Sequence, residues 1–230
     1  MGENVEFPSN GQTAGGYLAT AKEGAGPGVV VIQEWWGLDQ YIKGVCDQLA
    51  EEGFTALAPD LYHGEIAQHT EMDKAAQLMN SLPPDRAARD MGAAVDFLLG
   101  HGAVRGHSVG VVGFCMGGML AMLLAAREGG RVGAVVAYYG APLGDMEPDW
   151  SNLTAPVLAH VAENDEFFAP SAIQELEKKL KGMGKDVIVH VYPGTGHAFA
   201  LDHNALGTHD PDAGRQAWVR TLEFLRKHLG

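Results

Sequence analysis

Runs of apolar residues alternate with helical periods along most of the chain. GVVVIQE at 28–34 is a continuous apolar stretch closing on two polar residues, the pattern of a strand buried on both faces. Leu38, Tyr41, Ile42, Val45 and Leu49 then recur at helical spacing, and Cys46 lies beside that stripe as a small buried hydrophobe. FTALAPDL at 54–61 predicts the next strand, broken by Pro59. Residues 62–84 are irregular apart from one short period at Met72, Ala75, Ala76 and Met79. They are expected to form a lid or pocket wall. Ala88, Met91, Val95 and Leu98 predict a helix that Gly100 can end in the left-handed conformation.

The second half repeats the alternation. GVVGF at 110–114 reads as strand and 116–127 as helix, followed by strands at 133–140 and 156–164. Ser171 and Gln174 have capping-box spacing ahead of the period Ile173, Leu176, Leu180 and Met183. DVIVHVY at 186–192 is a strand, and Trp218, Leu222, Leu225 and Leu229 mark the last helix. The uncharged stretch 109–126 is nearly long enough to span a bilayer. Its four glycines divide it better into strand, turn and buried helix. The order predicts an α/β fold, a mainly parallel sheet with helices on both faces, in a single domain over 1–230. Ligands of such sheets bind beyond the C-terminal ends of the strands.

Composition narrows the chemistry. A formal net charge of −13 argues against nucleic acid and against an anionic membrane surface. Two cysteines, Cys46 and Cys115, make no disulfide framework and suit a reducing compartment. MGENVEFPSN carries no apolar signal core, so a cytoplasmic location is expected. A small-molecule substrate, a monomer, and no metal or cofactor complete the expectation.

Within VGVVGFCMGGML, Gly113, Cys115 and Gly117 form G-x-C-x-G. The glycines leave room for a sharp turn between strand and helix, which would expose the thiol at the top of the sheet. Amides at the N-terminus of the following helix favour a thiolate. Glycines that merely permit packing around a core cysteine are the alternative reading of so short a motif, and the strand-turn-helix setting weighs against it.

Such a nucleophile needs a base, and the base an orienting group. Of ten histidines, His160 and His190 fall inside strands, where packing is their expected role. His101 and His107 flank a connection on the far side, and His228 belongs to the last helix. His63, His69, His203 and His209 lie in loops, to line a pocket or face solvent. His197 follows the last strand inside GTGHAF and is the best base. Glu163, Asp165 and Glu166 follow an earlier strand, and Asp165 is the chosen acid. The order Cys115, Asp165, His197 is the nucleophile–acid–base order of α/β-hydrolases.

These residues resemble the dienelactone hydrolase family of the α/β-hydrolase fold. Gln33-Glu34-x-x-Gly37, Ala58-Pro59-Asp60-Leu61-Tyr62, Gly113-Phe114-Cys115-Met116-Gly117-Gly118, Asp165 and Gly196-His197-x-Phe199 carry the resemblance. It implies Cys115 as nucleophile, His197 as base and Asp165 as its acid. It also implies that Glu34 contacts the thiol and helps deprotonate it. The backbone amides of Trp35 and Met116 are expected to form the oxyanion hole. Trp36, Tyr138 and Phe199 are candidates for the substrate-binding wall, with Tyr139 of the same kind. Family members that cleave dienelactone carry an arginine soon after H-x-F-A, where this chain has Leu201. Arg86 and Arg89 lie in the region that supplies the family's other arginine.

The sulfur adds a constraint. A free thiol has a pKa near ~8.5, far below that of an alcohol. A tetrahedral intermediate on Cys115 therefore expels the thiolate in preference to an ordinary alkoxide. An enolate or phenolate leaving group reverses that balance, so enol lactones and aryl esters are the expected substrates. An acyl transferase or thioesterase could run on the same triad. A thiol sensor or binding protein would use Cys115 without turning over an ester.

Overall fold

Asn10 and Gly11, both at positive φ, form the two-residue turn of a hairpin that the apolar pattern did not announce. It joins β1 (Glu3–Ser9) to β2 (Gln12–Ala19), with Ser9 opposite Gln12. The computed structural model describes all residues from 1 to 230. They divide into two compact units, Met1–Gly110 and Val111–Gly230.

In the first unit, β3 (Gly26–Ile32) ends two residues before the apolar run does, so Gln33 and Glu34 belong to the following loop. Helix α1 (Gln40–Glu51) is capped by Asp39, whose side chain accepts from Tyr41 N and Ile42 N. Its buried face includes Ile42, Val45, Cys46 and Leu49, as the spacing predicts. Burial pushes the Cys46 thiol pKa up, which keeps it protonated and inert. β4 (Thr55–Pro59) pairs in parallel with β3 and antiparallel with β2. The strand order here is β1-β2-β4-β3. The irregular region contains α2 (Met72–Asn80), and α3 (Pro84–Gly100) follows. Gly100 is the last helical residue rather than a left-handed cap. The cap is His101 in an extended conformation, which sends the chain straight into β5 (Val104–Phe114).

β5 begins in the first unit and ends in the second. There, α4 (Met116–Glu128) starts directly after Cys115. The uncharged stretch 109–126 is thus strand, turn and helix, and no helix is long and apolar enough to cross a membrane. β6 (Val132–Tyr138), β7 (Val157–Asn164) and β8 (Val187–Gly196) pair in parallel in that order. α5 (Pro170–Gly182) has Pro170 in its first turn and Ala169 as its cap, with no side-chain cap bond. Ser171 is therefore already inside the helix, and the expected capping box does not form. Proline takes that entry because its fixed φ suits a first helical position. In α6 (Pro211–Leu229) the buried stripe runs through Ala213, Ala217, Thr221, Leu222, Phe224 and Leu225. Small side chains at 213 and 217 face inward, so Trp218 is only half-buried.

Candidate active site

The turn after β5 is tight because two glycines let backbones meet. A Cβ on Gly113 would run into the Gly117 carbonyl, and one on Gly140 into the carbonyl oxygen of Cys115. Cys115 itself adopts φ 54°, ψ −119°, a region that costs an L-residue about 1–3 kcal/mol. Its amide donates to Tyr138 O at 3.0 Å, and its carbonyl accepts from Gly118 N at 2.9 Å. Cys115 is half-buried at the N-terminal end of α4, whose first residue is Met116. The thiol of a sharp strand-to-helix turn is thereby presented at the end of β5, as the motif predicts.

Asp165 follows β7. Its Oδ1 accepts from Phe167 N at 2.8 Å and Phe168 N at 2.9 Å. Its Oδ2 lies 2.8 Å from His197 Nδ1. Two backbone donors thus fix the carboxylate, which in turn fixes the imidazole. With Nδ1 donating to Asp165, Nε2 is the atom that can take up a proton. His197 is also held through its backbone, since Thr208 Oγ1 donates to the His197 carbonyl. Its ring touches Tyr139 at 5.1 Å, Phe167 at 4.7 Å and Phe168 at 5.9 Å between centroids. Cys115 and His197 therefore meet the same end of β6. One bonds the Tyr138 carbonyl and the other packs on the Tyr139 ring.

The proposed wall residues separate on inspection. Tyr138 turns inward, stacked on Phe114 at 4.6 Å and hydrogen-bonded to Thr221 Oγ1 at 2.7 Å. Tyr139, at φ 38°, is the one whose ring meets His197. Phe199 is fully buried between Tyr139 and Tyr192. Phe167, Phe168 and Thr208 were not picked out from the sequence. A double aromatic two residues after the acid was the available signal.

A buried polar network underlies this end of β6. Arg220 Nη1 donates to Tyr192 OH at 3.0 Å, leaving the phenol proton for His160 Nδ1 at 2.8 Å. His160 is then the Nε2–H tautomer and donates to Thr221 Oγ1 at 3.0 Å. Burial first, then His190 and Arg220, holds His160 well below the ordinary histidine value of 6.5. The unfolded chain therefore takes up a proton that the folded one refuses. The stability His160 contributes is present above pH 6.5 and falls as the pH drops below it. His160→Leu is expected to cost about 3 kcal/mol, because Tyr192 and Thr221 each lose a buried partner. It should also flatten the fall in urea-measured stability between roughly pH 6.5 and 5 by close to one proton's worth. His190 and His228 are shifted in the same direction but remain in the variant, so an unchanged slope would clear His160 of this role.

In the first unit, Glu34 is buried in the loop after β3. Gly37 N donates to its carbonyl at 3.3 Å, closing a turn that contains Trp35 and Trp36. Trp35 is half-buried, and Trp36 is buried with its ring 5.0 Å from Trp35 and 4.9 Å from His69. Two loop histidines are paired with carboxylates. His63 Nε2 is 2.8 Å from Asp90 Oδ2, and His69 Nε2 is 2.9 Å from Asp39 Oδ2. Ala67 N donates to the Trp36 carbonyl at 2.9 Å, so residues 62–70 are tied back onto the Trp35-Trp36 turn. Arg86 reaches the Leu61 carbonyl at 3.4 Å, and Arg89 lies 3.5 Å from Asp90.

The family model described as the dienelactone hydrolase family matches residues 14–229. Protein usf of Aquifex pyrophilus is 40% identical over the full length of both chains. A putative carboxymethylenebutenolidase of Aquifex aeolicus is 38% identical, again over both full lengths. The crystal structure of a putative dienelactone hydrolase from Klebsiella pneumoniae superposes with a TM-score of 0.82. It is 25% identical, with 99% of this chain and 98% of that one covered. The strand pairings and the structural likeness identify an α/β-hydrolase fold with a mainly parallel sheet and helices. The chain belongs to the dienelactone hydrolase family and is a hydrolase of the type that acts on carboxylic ester bonds.

Proposed function

We propose that this hydrolase cleaves activated carboxylic esters or lactones through Cys115, His197 and Asp165, by way of a thioester on Cys115. The observation that carries the reading is the Asp165–His197 pair at 2.8 Å, set on the same end of β6 as a strained cysteine at a helix N-terminus. His197 Nε2 takes the thiol proton as the sulfur adds to the ester carbonyl, and the carbonyl oxygen becomes an oxyanion. The amides of Met116 and, by resemblance to the family, Trp35 stabilise that charge. Collapse breaks the bond to the leaving oxygen, which takes a proton from His197. Water, deprotonated by His197 Nε2, then cleaves the thioester and frees the acid and the thiol. Glu34 carries over from the family as the carboxylate that helps deprotonate Cys115.

The family match runs across residue 110, and the boundary between the units falls inside β5. Both facts support treating 1–230 as one catalytic domain. The two free cysteines support a reducing, cytoplasmic location, and the net charge of −13 supports a small molecule rather than nucleic acid as the ligand. The test is direct observation of the intermediate. Mixing the enzyme with an aryl ester and stopping the reaction with acid should give an intact mass increased by one acyl group, mapped to Cys115. Turnover of the ester with no acyl adduct on Cys115 at any time would refute the thioester route.

A further inference from the structure

The side chains around His197 also bear on what leaves. We propose that Phe167 forms the leaving-group subsite, a face that receives the planar aromatic or enolic portion of the substrate. The proposal rests on the Cys115–His197–Asp165 reading and deepens it.

The route of the proton fixes where the leaving group lies. Asp165 occupies His197 Nδ1 at 2.8 Å, so the leaving oxygen can be protonated only from Nε2. That oxygen must come within hydrogen-bond distance of Nε2, and whatever ring it carries then lies alongside the imidazole. Three aromatic residues border the imidazole. Tyr139 is fully buried, and its edge contact is closed to a ligand. Phe168 lies near-parallel to the imidazole, 19° between planes, and is half-buried. Phe167 is tilted by 49° at 4.7 Å and is 57% exposed. It is the one of the three that offers open apolar surface to an incoming ring.

The position of Phe167 is also built in rather than incidental. Its backbone N–H donates to Asp165 Oδ1, so the backbone that carries the ring is held to the carboxylate that bonds His197. A phenyl group left in water forfeits burial that a substrate ring would restore. Aromatic pairs add a further increment when offset or tilted. When the tetrahedral intermediate collapses, the carbon–oxygen bond breaks and the oxygen takes the proton from Nε2. A phenol or enol then departs across the Phe167 face.

Two esters of one acid separate this from simple leaving-group acidity. One carries a phenol and the other a fluorinated alkyl alcohol of the same acidity. Sulfur chemistry alone treats them alike, whereas an aromatic subsite does not. Phe167→Ala should lower the ratio of kcat/KM for the aryl over the fluoroalkyl ester by about fivefold to tenfold. The loss should lie in the rate of Cys115 acylation, and Phe167→Trp should retain most of the wild-type ratio. A ratio that stays at the wild-type value in Phe167→Ala would overturn the subsite, because Phe167 would then only support His197. Failure of the wild type to acylate Cys115 with either ester would remove the triad reading and the subsite with it. The two failures are therefore distinguishable.

Discussion

On the proposed mechanism, Cys115→Ala is expected to lower kcat/KM for an aryl ester by on the order of 10⁴ or more, since a triad without its nucleophile would retain only oxyanion stabilisation and binding. Cys115→Ser is the more informative variant. It keeps a nucleophilic atom in the same strained turn, at φ 54°, but exchanges a good leaving group for a poor one. With sulfur, the tetrahedral intermediate partitions back to substrate unless the departing oxygen is at least comparably stable as an anion. With oxygen, that penalty on alkyl esters disappears. Activity of the serine variant should fall for both an aryl and an alkyl ester of one acid. The aryl-to-alkyl preference should shrink by about tenfold or more, given the separation of thiol and alcohol acidities. Steady-state kinetics on the two esters with both enzymes measure it. An identical preference in both would eliminate the partitioning argument and leave the cysteine unexplained by leaving-group chemistry.

Much of the fold could be read from apolar runs because buried parallel strands write themselves as uninterrupted Val, Ile and Leu. GVVVIQE and GVVGF are of that kind. The N-terminal hairpin could not, since β1 buries only Phe7 and Ser9 and its apolar alternation is confined to Val5 and Phe7. Its signal was the Asn10-Gly11 turn, which is a statement about backbone φ rather than about hydrophobicity. The capping box at Ser171 failed for a related reason. Pro170 already occupied the helix entry, and a rigid ring at a first turn outranks a side-chain hydrogen bond one residue later. At the site, the placement of Cys115, Asp165 and His197 directly after strands was legible, because each follows the end of an apolar run. The roles of Tyr138 and Tyr139 were not. Adjacent residues at a strand end point in opposite directions, and only the bond from Tyr138 to Thr221 on α6 decides which tyrosine faces inward. His160 was recognised as a packing residue. Its place in a chain from Arg220 to Thr221 depends on partners tens of residues away in sequence.

Asp165→Asn is expected to reduce kcat/KM by about 10³–10⁴ with little change in structure. The reason lies in the two backbone donors rather than in lost charge alone. Phe167 N and Phe168 N both require an acceptor at the position of Oδ1. An asparagine must give its carbonyl oxygen to them, because turning the amide would set its NH₂ against two N–H groups. Its NH₂ then faces His197 Nδ1. That nitrogen becomes an acceptor, and the imidazole proton moves to Nε2, the atom needed as the base. His197 remains in place, in contact with Tyr139 and Phe168, but in the tautomer that cannot take the next proton. Two measurements check this together. Nitrogen NMR of the His197 ring should show the protonated nitrogen switching from Nδ1 to Nε2 in the variant, and kcat/KM for an aryl ester should fall in parallel. Activity within tenfold of wild type would remove Asp165 from the orienting role. The neighbouring carboxylate Glu163, whose Oε2 accepts from Gly194 N at 2.8 Å, would then become the acid to test.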